Sequence, residues 1–257
     1  IASAYEPTFT VRSVLVVVVV VAFGLIGLID DLQKALSGDS TGWRARYKIV
    51  LEFIVAALFV AALVWQDQFI MGIGAPRWHT QMLWLWAPLG VFVIVGAANS
   101  VNLTDGLDGL AAGLTAICAV ALAGVLLFRG DPEMALVASV VGGASVGFLW
   151  FNCHPASIFM GDVGSLALGA ALGCIAVAGA VELIFALLAG VFVFETVSVI
   201  AQVISYQQFG RRILKMAPFH HHLELSGWAE PAIVTRLWLI GVMLASSGWI
   251  IGRVMLR

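Results

Sequence analysis

The sequence predicts an all-α, polytopic membrane protein, a bundle in which eight helices of this chain each cross the bilayer. Of its 257 residues, 61% are hydrophobic and only 11% are charged, whereas charged residues usually make up about a quarter of a soluble domain. The hydrophobic residues form eight runs, each near the roughly 20 residues that a helix needs to cross the hydrocarbon core. A formal net charge of -2 argues against nucleic acid as a partner, because no basic face is large enough to neutralise a phosphate backbone.

Polar segments between the runs set the bounds of each predicted span. In chain order the spans are 11–29, 47–65, 83–101, 110–128, 133–151, 163–180, 183–204 and 232–251. The first run lacks a basic leading region and a small-residue cleavage site, so it predicts a true span and not a signal peptide. We expect one integral-membrane domain over residues 1–257. Cys118, Cys153 and Cys174 have no C-x-x-C spacing and are expected to be small core residues.

Four polar clusters lie between the spans, and counting spans predicts that they share one face of the membrane. The clusters are Asp30 with Asp31, residues 99–108, residues 152–162 and the loop around His220. Each span reverses sidedness, so an even number of spans returns the chain to the face it left. Eight of the 13 lysine and arginine residues fall on that face, which favours the cytoplasm under the positive-inside rule.

Asp30 and Asp31 follow the first predicted span, where the helix dipole disfavours carboxylates. Lys34 stands four residues after Asp30 and three after Asp31, a spacing that favours ion pairs on a helix. The pair is therefore either a hydrated terminal turn or part of a functional site.

Between the third and fourth spans, polar side chains recur at every third position: Asn99, Asn102, Asp105 and Asp108. Such spacing allows Asn102 and Asp105 to share a helical face, and the glycines at 106 and 109 allow a ligand to approach the backbone. The alternative is a polar loop in which Asp108 caps the next helix.

Asp162 lies between two glycines just before the sixth span, where it is either an N-cap or a ligand for Mg²⁺, which prefers carboxylates together with phosphate oxygens.

His220, His221 and His222 are adjacent, so they cannot readily all reach one metal. They are better suited to bind phosphate or sugar groups. The nearby Arg211, Arg212 and Lys215 would either assist them or only flank the membrane.

Glu52 and Glu195 fall inside predicted spans, where a charge is costly unless it is protonated, paired or near a site. Such carboxylates also occur in cation or proton transporters, which are one rival interpretation. A transporter, however, places its carboxylates near the bilayer midplane, whereas most of the carboxylates here lie at one edge.

Four ordered motifs, GLIDDLQK, NSVNLTDGLDGLAAG, FMGDVGSLALG and MAPFHHHLELSGWAE, resemble those of the phospho-N-acetylmuramoyl-pentapeptide transferases (the MraY family). This family belongs to the polyprenyl-phosphate N-acetylhexosamine-1-phosphate transferase superfamily. The resemblance runs from about residue 25 to the C-terminus. The HHHLELSGW segment favours this branch over sister enzymes that use UDP-N-acetylglucosamine, which are the closest rival.

The resemblance implies transfer of phospho-MurNAc-pentapeptide from its UDP carrier to undecaprenyl phosphate, giving lipid I and UMP in peptidoglycan synthesis. It implies a Mg²⁺ cofactor, a cytoplasmic active-site cleft, a bacterial inner-membrane location and a homodimer. Members of the family have ten spans and a Gly-Thr-Pro-Thr-Met-Gly-Gly segment after the first. The eight spans here would match the last eight, so we expect the N-terminal two spans to be missing.

The resemblance also implies roles for individual residues. Asp162 would bind Mg²⁺, and Asp30 or Asp31 would deprotonate or orient the lipid phosphate. Asp108 and His221 are the other expected catalytic residues, with Asp108 lining the cleft and His221 contacting phosphate or sugar. The expected substrate-binding residues are Lys34, Lys48, Asn102, Asp105, Asn152, Phe159, His220 and His222. Direct attack by the lipid phosphate is favoured over a phospho-enzyme on an aspartate, because it needs no residue to be both metal ligand and nucleophile.

Overall fold

The computed structural model describes residues 10–37, 43–70 and 83–255, and this part of the chain is helical without a strand. Its helices are α1 (Val11–Ser37), α2 (Ala45–Ile70), α3 (Leu83–Thr104), α4 (Leu110–Arg129), α5 (Pro132–Asn152), α6 (Gly161–Ala178), α7 (Glu182–Leu188), α8 (Gly190–Phe209), α9 (Phe219–Glu224) and α10 (Glu230–Met255). Within the described ranges, eight helices are long and apolar enough to cross a membrane. The predicted all-α, multi-pass membrane bundle and its number of spans are confirmed.

The seventh predicted span, 183–204, is wrong in its bounds. The structure divides it into α7 and α8, which meet at Ala189, and the long apolar helix runs from Gly190 to Phe209. A Cβ atom on Gly190 would lie 2.8 Å from Cδ1 of Leu244, so the backbone packs closely against α10 at the start of α8. Apolar composition continues through this break and did not reveal it.

Helix α1 extends beyond its predicted end at residue 29 and includes Asp30 and Asp31. The Lys34 ammonium lies 2.7 Å from Oδ2 of Asp30 and 3.7 Å from Oδ1 of Asp31. These are the ion pairs that the spacing predicted, and they offset the unfavourable helix dipole.

Helix α4 forms the centre of the bundle and packs against α5 and α10. Its Leu110, Leu122 and Leu126 are fully buried. Outer helices expose large apolar side chains such as Val17 and Val18 of α1, as a lipid-facing surface requires.

Cys118 and Cys174 are buried as predicted, but the prediction is wrong for Cys153, which is exposed at the end of α5.

Small residues bring α1 and α3 very close to α6. A Cβ on Gly169 would lie 2.5 Å from the carbonyl oxygen of Ala97, and one on Gly27 would lie 2.2 Å from that of Asp162. Small residues at membrane helix interfaces permit such backbone approach. The start of α6 therefore lies directly beside the end of α1 and the end of α3.

A polar cluster, here called the Arg12 cluster, ties α1 to the α4–α5 turn. It lies at the end of the bundle opposite the start of α6. The Arg12 guanidinium donates to Asp131 at 2.9 Å and to Glu133 at 2.9 Å. Asp131 also caps α5 by accepting from the backbone N–H of Met134. Glu133 accepts from Thr10 and from the Ser13 hydroxyl.

Candidate active site

Three aspartates meet at one end of the bundle. Asp30 and Asp31 come from the last turns of α1, and Asp162 comes from the first turn of α6. One carboxylate oxygen from each lies within 4.8 Å of the other two. Gly161 permits this contact because its φ is 64° and a Cβ there would lie 2.8 Å from Oδ2 of Asp31. The N-cap of α6 is Met160, so the alternative of Asp162 as an N-cap is wrong.

Two lysines join these aspartates to form what we call the carboxylate cluster. The Lys34 ammonium lies 3.2 Å and the Lys48 ammonium 2.6 Å from Oδ2 of Asp162. Lys48 is also 3.8 Å from Oδ2 of Asp30. Three carboxylates therefore face two ammonium groups, and the cluster keeps an excess of negative charge.

Asn102 completes the surroundings of Asp162. Its Nδ2 donates to Oδ1 of Asp162 at 2.8 Å and approaches the Ser165 hydroxyl at 2.9 Å. Both oxygens of Asp162 thus have partners: Oδ1 accepts from the Asn102 amide, and Oδ2 faces the ammonium groups of Lys34 and Lys48. Mg²⁺ is usually bound by one or two carboxylates together with substrate phosphate oxygens, and the aspartates of this cluster offer ligands of that kind.

The two aspartates of α1 differ in access. The Asp30 side chain is only 5% exposed, and its Oδ1 accepts the backbone N–H of Trp43 at 2.6 Å. The Asp31 side chain is 32% exposed and accepts the backbone N–H of Val163 at 3.2 Å. Asp31 is therefore the one that a substrate can reach, while Asp30 fixes the start of α2.

Asp105 follows the last residue of α3, in the turn that leads to α4. Burial, followed by the negative charges of Asp162 and Asp31, raises the pKa of Asp105 to about 7. A carboxyl group in this position is partly protonated at neutral pH and can then donate a hydrogen bond.

The three histidines of α9 divide into two groups. His220 is fully buried, with Nδ1 3.3 Å from Oε2 of Glu195. A Cβ on Gly106 would lie 2.5 Å from Nε2 of His220 and 3.1 Å from Nε2 of His221, so both rings pack on the turn beside Asp105. His222 turns away and accepts the backbone N–H of Lys215 at 3.1 Å.

The two carboxylates inside spans also belong to this end of the bundle. Glu195 is buried and faces His220. Glu52 is buried one helical turn after Lys48 and accepts from the Asn99 amide. Sequence reasoning left both assignments open, because the rotation of each helix about its axis decides which neighbour a carboxylate meets.

Asn152 and Phe159 lie at the two ends of the connection between α5 and α6. Asn152 is buried, where it accepts the backbone N–H of Gly109 at 3.1 Å and donates to the carbonyl of Ile158 at 2.9 Å. Phe159 is 76% exposed, so its ring is free to stack on a planar ligand. The Asn152 side chain thus joins the connection to the start of α4. Its role in nucleoside binding stays a prediction.

Asp108 contacts two residues that the sequence analysis did not select. Its Oδ2 lies 3.2 Å from Nδ1 of His154, and its backbone N–H donates to Glu230 at 2.7 Å. The N-cap of α4 is Gly109, and no side chain caps this helix. The alternative of Asp108 as a cap is therefore wrong. The only sequence signal for these two residues was their location: His154 lies in the polar cluster at 152–162, and Glu230 ends the MAPFHHHLELSGWAE motif.

Comparison with known proteins places these residues in a family. The model of glycosyl transferase family 4 matches residues 13–180, which contain the whole carboxylate cluster. A phospho-N-acetylmuramoyl-pentapeptide-transferase from Geobacillus kaustophilus (strain HTA426) is 42% identical over 239 residues, covering 92% of this chain and 74% of that protein. The chain therefore belongs to glycosyl transferase family 4 and, within it, to the phospho-N-acetylmuramoyl-pentapeptide-transferase family that the motifs indicated.

Proposed function

We propose that this protein transfers phospho-MurNAc-pentapeptide from UDP-MurNAc-pentapeptide to undecaprenyl phosphate, giving lipid I and UMP. The observation that carries this proposal is the carboxylate cluster, in which Asp31 and Asp162 lie beside Lys34 and Lys48 at one end of a membrane bundle. Attack of one phosphate on another brings like charges together, so catalysis consists mainly of positioning and charge neutralisation. The cluster supplies both kinds of group, and the 42% identical relative bears this activity as its name.

Asp162 would hold Mg²⁺ together with phosphate oxygens of the substrate, and the chemical contribution of the ion would be to neutralise charge on the diphosphate. Lys34 and Lys48 would bind the phosphate oxygens once they leave Asp162. Both ammonium groups are within 3.2 Å of the same Asp162 oxygen, so both are close to the carboxylate that would hold the cation.

The lipid phosphate would attack the β-phosphorus of the UDP-sugar, and the bond to the UMP oxygen would break. A phosphate monoester has its second pKa at about 6, so much of the lipid phosphate is already dianionic at neutral pH. Asp31 would orient this phosphate. Where the phosphate still carries a proton, Asp31 would accept it. Asp30 is buried against Trp43 and positions Lys34, and neither aspartate needs to become phosphorylated.

Recognition of the uridine would involve Phe159 as a stacking surface and Asn102 and Asp105 as polar contacts. His221, whose side chain is partly exposed, would bind phosphate or sugar beside the same turn, whereas the fully buried His220 would hold the turn in place through its packing on Gly106. His222 is turned towards Lys215 and would support α9 more than the substrate.

Sidedness can be tested with a native residue. Cys153 is exposed at the site end of the bundle, whereas Cys118 and Cys174 are buried. We expect a membrane-impermeant maleimide to label Cys153 from the cytoplasmic side of inverted vesicles and not from the outside of intact cells. Labelling in intact cells alone would place the site on the other face and would contradict a cytoplasmic active site.

The activity is tested by measuring UMP release from UDP-MurNAc-pentapeptide by the purified protein. We expect release only when undecaprenyl phosphate and Mg²⁺ are both present, and none from UDP-N-acetylglucosamine. Preference for UDP-N-acetylglucosamine would assign the sister activity instead. Release without a lipid acceptor would indicate hydrolysis and would contradict the transfer proposal.

A further inference from the structure

The connection between α5 and α6 carries Phe159 and leads directly to Asp162. The three side chains of Asp108, His154 and Glu230, here called the loop latch, join this connection to the α3–α4 turn and to the start of α10. We propose that His154 and Glu230 are positioning residues that act through Asp108 to hold Phe159 in place for nucleoside binding. This inference rests on the proposed use of a UDP-linked substrate.

Asp108 forms the inner half of the loop latch. Its Oδ2 accepts the backbone N–H of Ala156 at 2.9 Å and lies 3.2 Å from Nδ1 of His154. A carboxylate oxygen can only accept, so Nδ1 of His154 carries a hydrogen and donates it. One oxygen of Asp108 therefore fixes two positions of the connection.

Glu230, the first residue of α10, forms the outer half. Its Oε1 accepts the backbone N–H of Asp108 at 2.7 Å, and its Oε2 lies 3.5 Å from Nδ1 of His154. A single carboxylate thus holds the turn after α3 and faces the histidine of the next connection. Removing its side chain would loosen both halves of the loop latch at once.

Phe159 depends on these backbone anchors because its own ring is 76% exposed and gains little from packing. Asn152 holds the carbonyl of Ile158, one residue before the ring, and Asp108 holds the backbone N–H of Ala156, three residues before the ring. The side chains of His154 and Glu230 are 43% and 26% exposed, so neither belongs to the apolar core. Their loss should alter the ring's placement more than the stability of the bundle.

The test measures UMP affinity by calorimetry on purified wild type, His154→Ala, His154→Asn and Cys153→Ala. We expect His154→Ala to weaken UMP binding about tenfold, the factor that loss of one hydrogen bond to a charged group supports. His154→Asn keeps a donor near the position of Nδ1 and should restore most of the affinity. Cys153→Ala changes the exposed neighbour and should bind like wild type.

Two Glu230 variants and one double variant separate positioning from other roles. Glu230→Gln keeps an acceptor for the N–H of Asp108 and should lose less affinity than Glu230→Ala. In a Phe159→Ala background, His154→Ala should add little further loss, because its effect passes through the ring. A fully additive loss, or a lowered melting temperature that accounts for the weaker binding, would overturn the proposal.

The outcomes also separate this inference from the proposed function. If wild type fails to bind UMP, the proposed function is wrong. If wild type binds UMP and His154→Ala binds it equally well, the loop latch does not position Phe159, and the proposed function is unaffected.

Discussion

The two ends of the bundle carry polar clusters of similar composition and different construction. The Arg12 cluster and the carboxylate cluster each contain one more carboxylate than cation. In the first, Arg12 donates in a fixed fork to Asp131 and Glu133, and neutral N–H and O–H groups occupy other carboxylate oxygens. In the second, two lysines crowd one oxygen of Asp162, and Asp31 stays accessible.

This difference indicates a structural role for the Arg12 cluster and supports the role proposed for the carboxylate cluster. A guanidinium has a rigid set of donors that match carboxylates, whereas an ammonium is a mobile point charge on a flexible stem. The Arg12 cluster is therefore a clamp between α1 and the α4–α5 turn. Under the proposed function the carboxylate cluster would release its lysines to phosphate and accept a divalent cation. Charge count alone does not distinguish the two ends.

The largest effect is expected for Asp162→Asn, which keeps the shape of the side chain and removes its charge. Turnover should fall by more than about 100-fold, the scale of losing one preorganised electrostatic contact. The matched variant at the other end, Asp131→Asn, should retain turnover. An active Asp162→Asn enzyme with unchanged Mg²⁺ dependence would contradict the metal assignment and the contrast between the two ends.

Phe159→Ala should weaken UMP binding by about 1–3 kcal/mol, the usual contribution of stacking a base on an aromatic ring. Calorimetry measures this, with Phe92→Ala, an exposed phenylalanine of α3, as the control. Unchanged affinity would remove Phe159 from the nucleoside pocket. Binding of undecaprenyl phosphate should change little in either variant.

Gly27→Ala should disturb the site end, because the added Cβ would meet the carbonyl oxygen of Asp162 at 2.2 Å. Overpacking of this kind costs about 1–3 kcal/mol of stability, and displacing α6 should lower turnover as well. Gly96→Ala is the matched control, since its Cβ would have no atom within 4 Å. Equal melting temperatures and activities for the two variants would show that α1 and α6 do not need this close approach.

Arg12→Lys should lower stability by about 1 kcal/mol, because the lysine replaces a forked pair of charge-assisted hydrogen bonds with one point charge. Thermal unfolding in detergent measures this loss, and turnover per folded molecule should stay the same. Arg211→Lys, in the exposed segment after α8, is the control. A fall in turnover without a fall in stability would contradict a purely structural Arg12 cluster.

The smallest effect concerns Asp105, whose pKa of about 7 is raised mainly by burial and then by Asp162 and Asp31. Above this pH the carboxylate is charged and adds negative potential at the cluster, and below it the group is neutral. Mg²⁺ affinity should therefore rise a few-fold from about pH 6 to about pH 8, by linkage between the proton and the cation. Asp105→Asn should flatten that rise, and an unchanged profile would exclude Asp105 as its source.

Composition and span counting were sufficient for much of the fold. The all-α bundle and its eight spans are properties of local apolar length, and the shared end of the clusters follows from the number of reversals. The pairing of Lys34 with Asp30 and Asp31 was also predictable, because it depends only on the geometry of one helix. The break at Ala189 was not, because the apolar run continues through it.

By itself the sequence determined which residue types stand at the site end, since hydrophobic length and motif order are carried along one chain. Only the tertiary structure decided that Asp31 is accessible while Asp30 is buried, that Glu195 meets His220, and that Glu230 reaches Asp108. Each of these contacts joins residues whose relative position depends on how far a helix is rotated and how closely it approaches its neighbour. Small residues such as Gly27 and Gly169 set that approach, and their effect exists only when two helices are packed together.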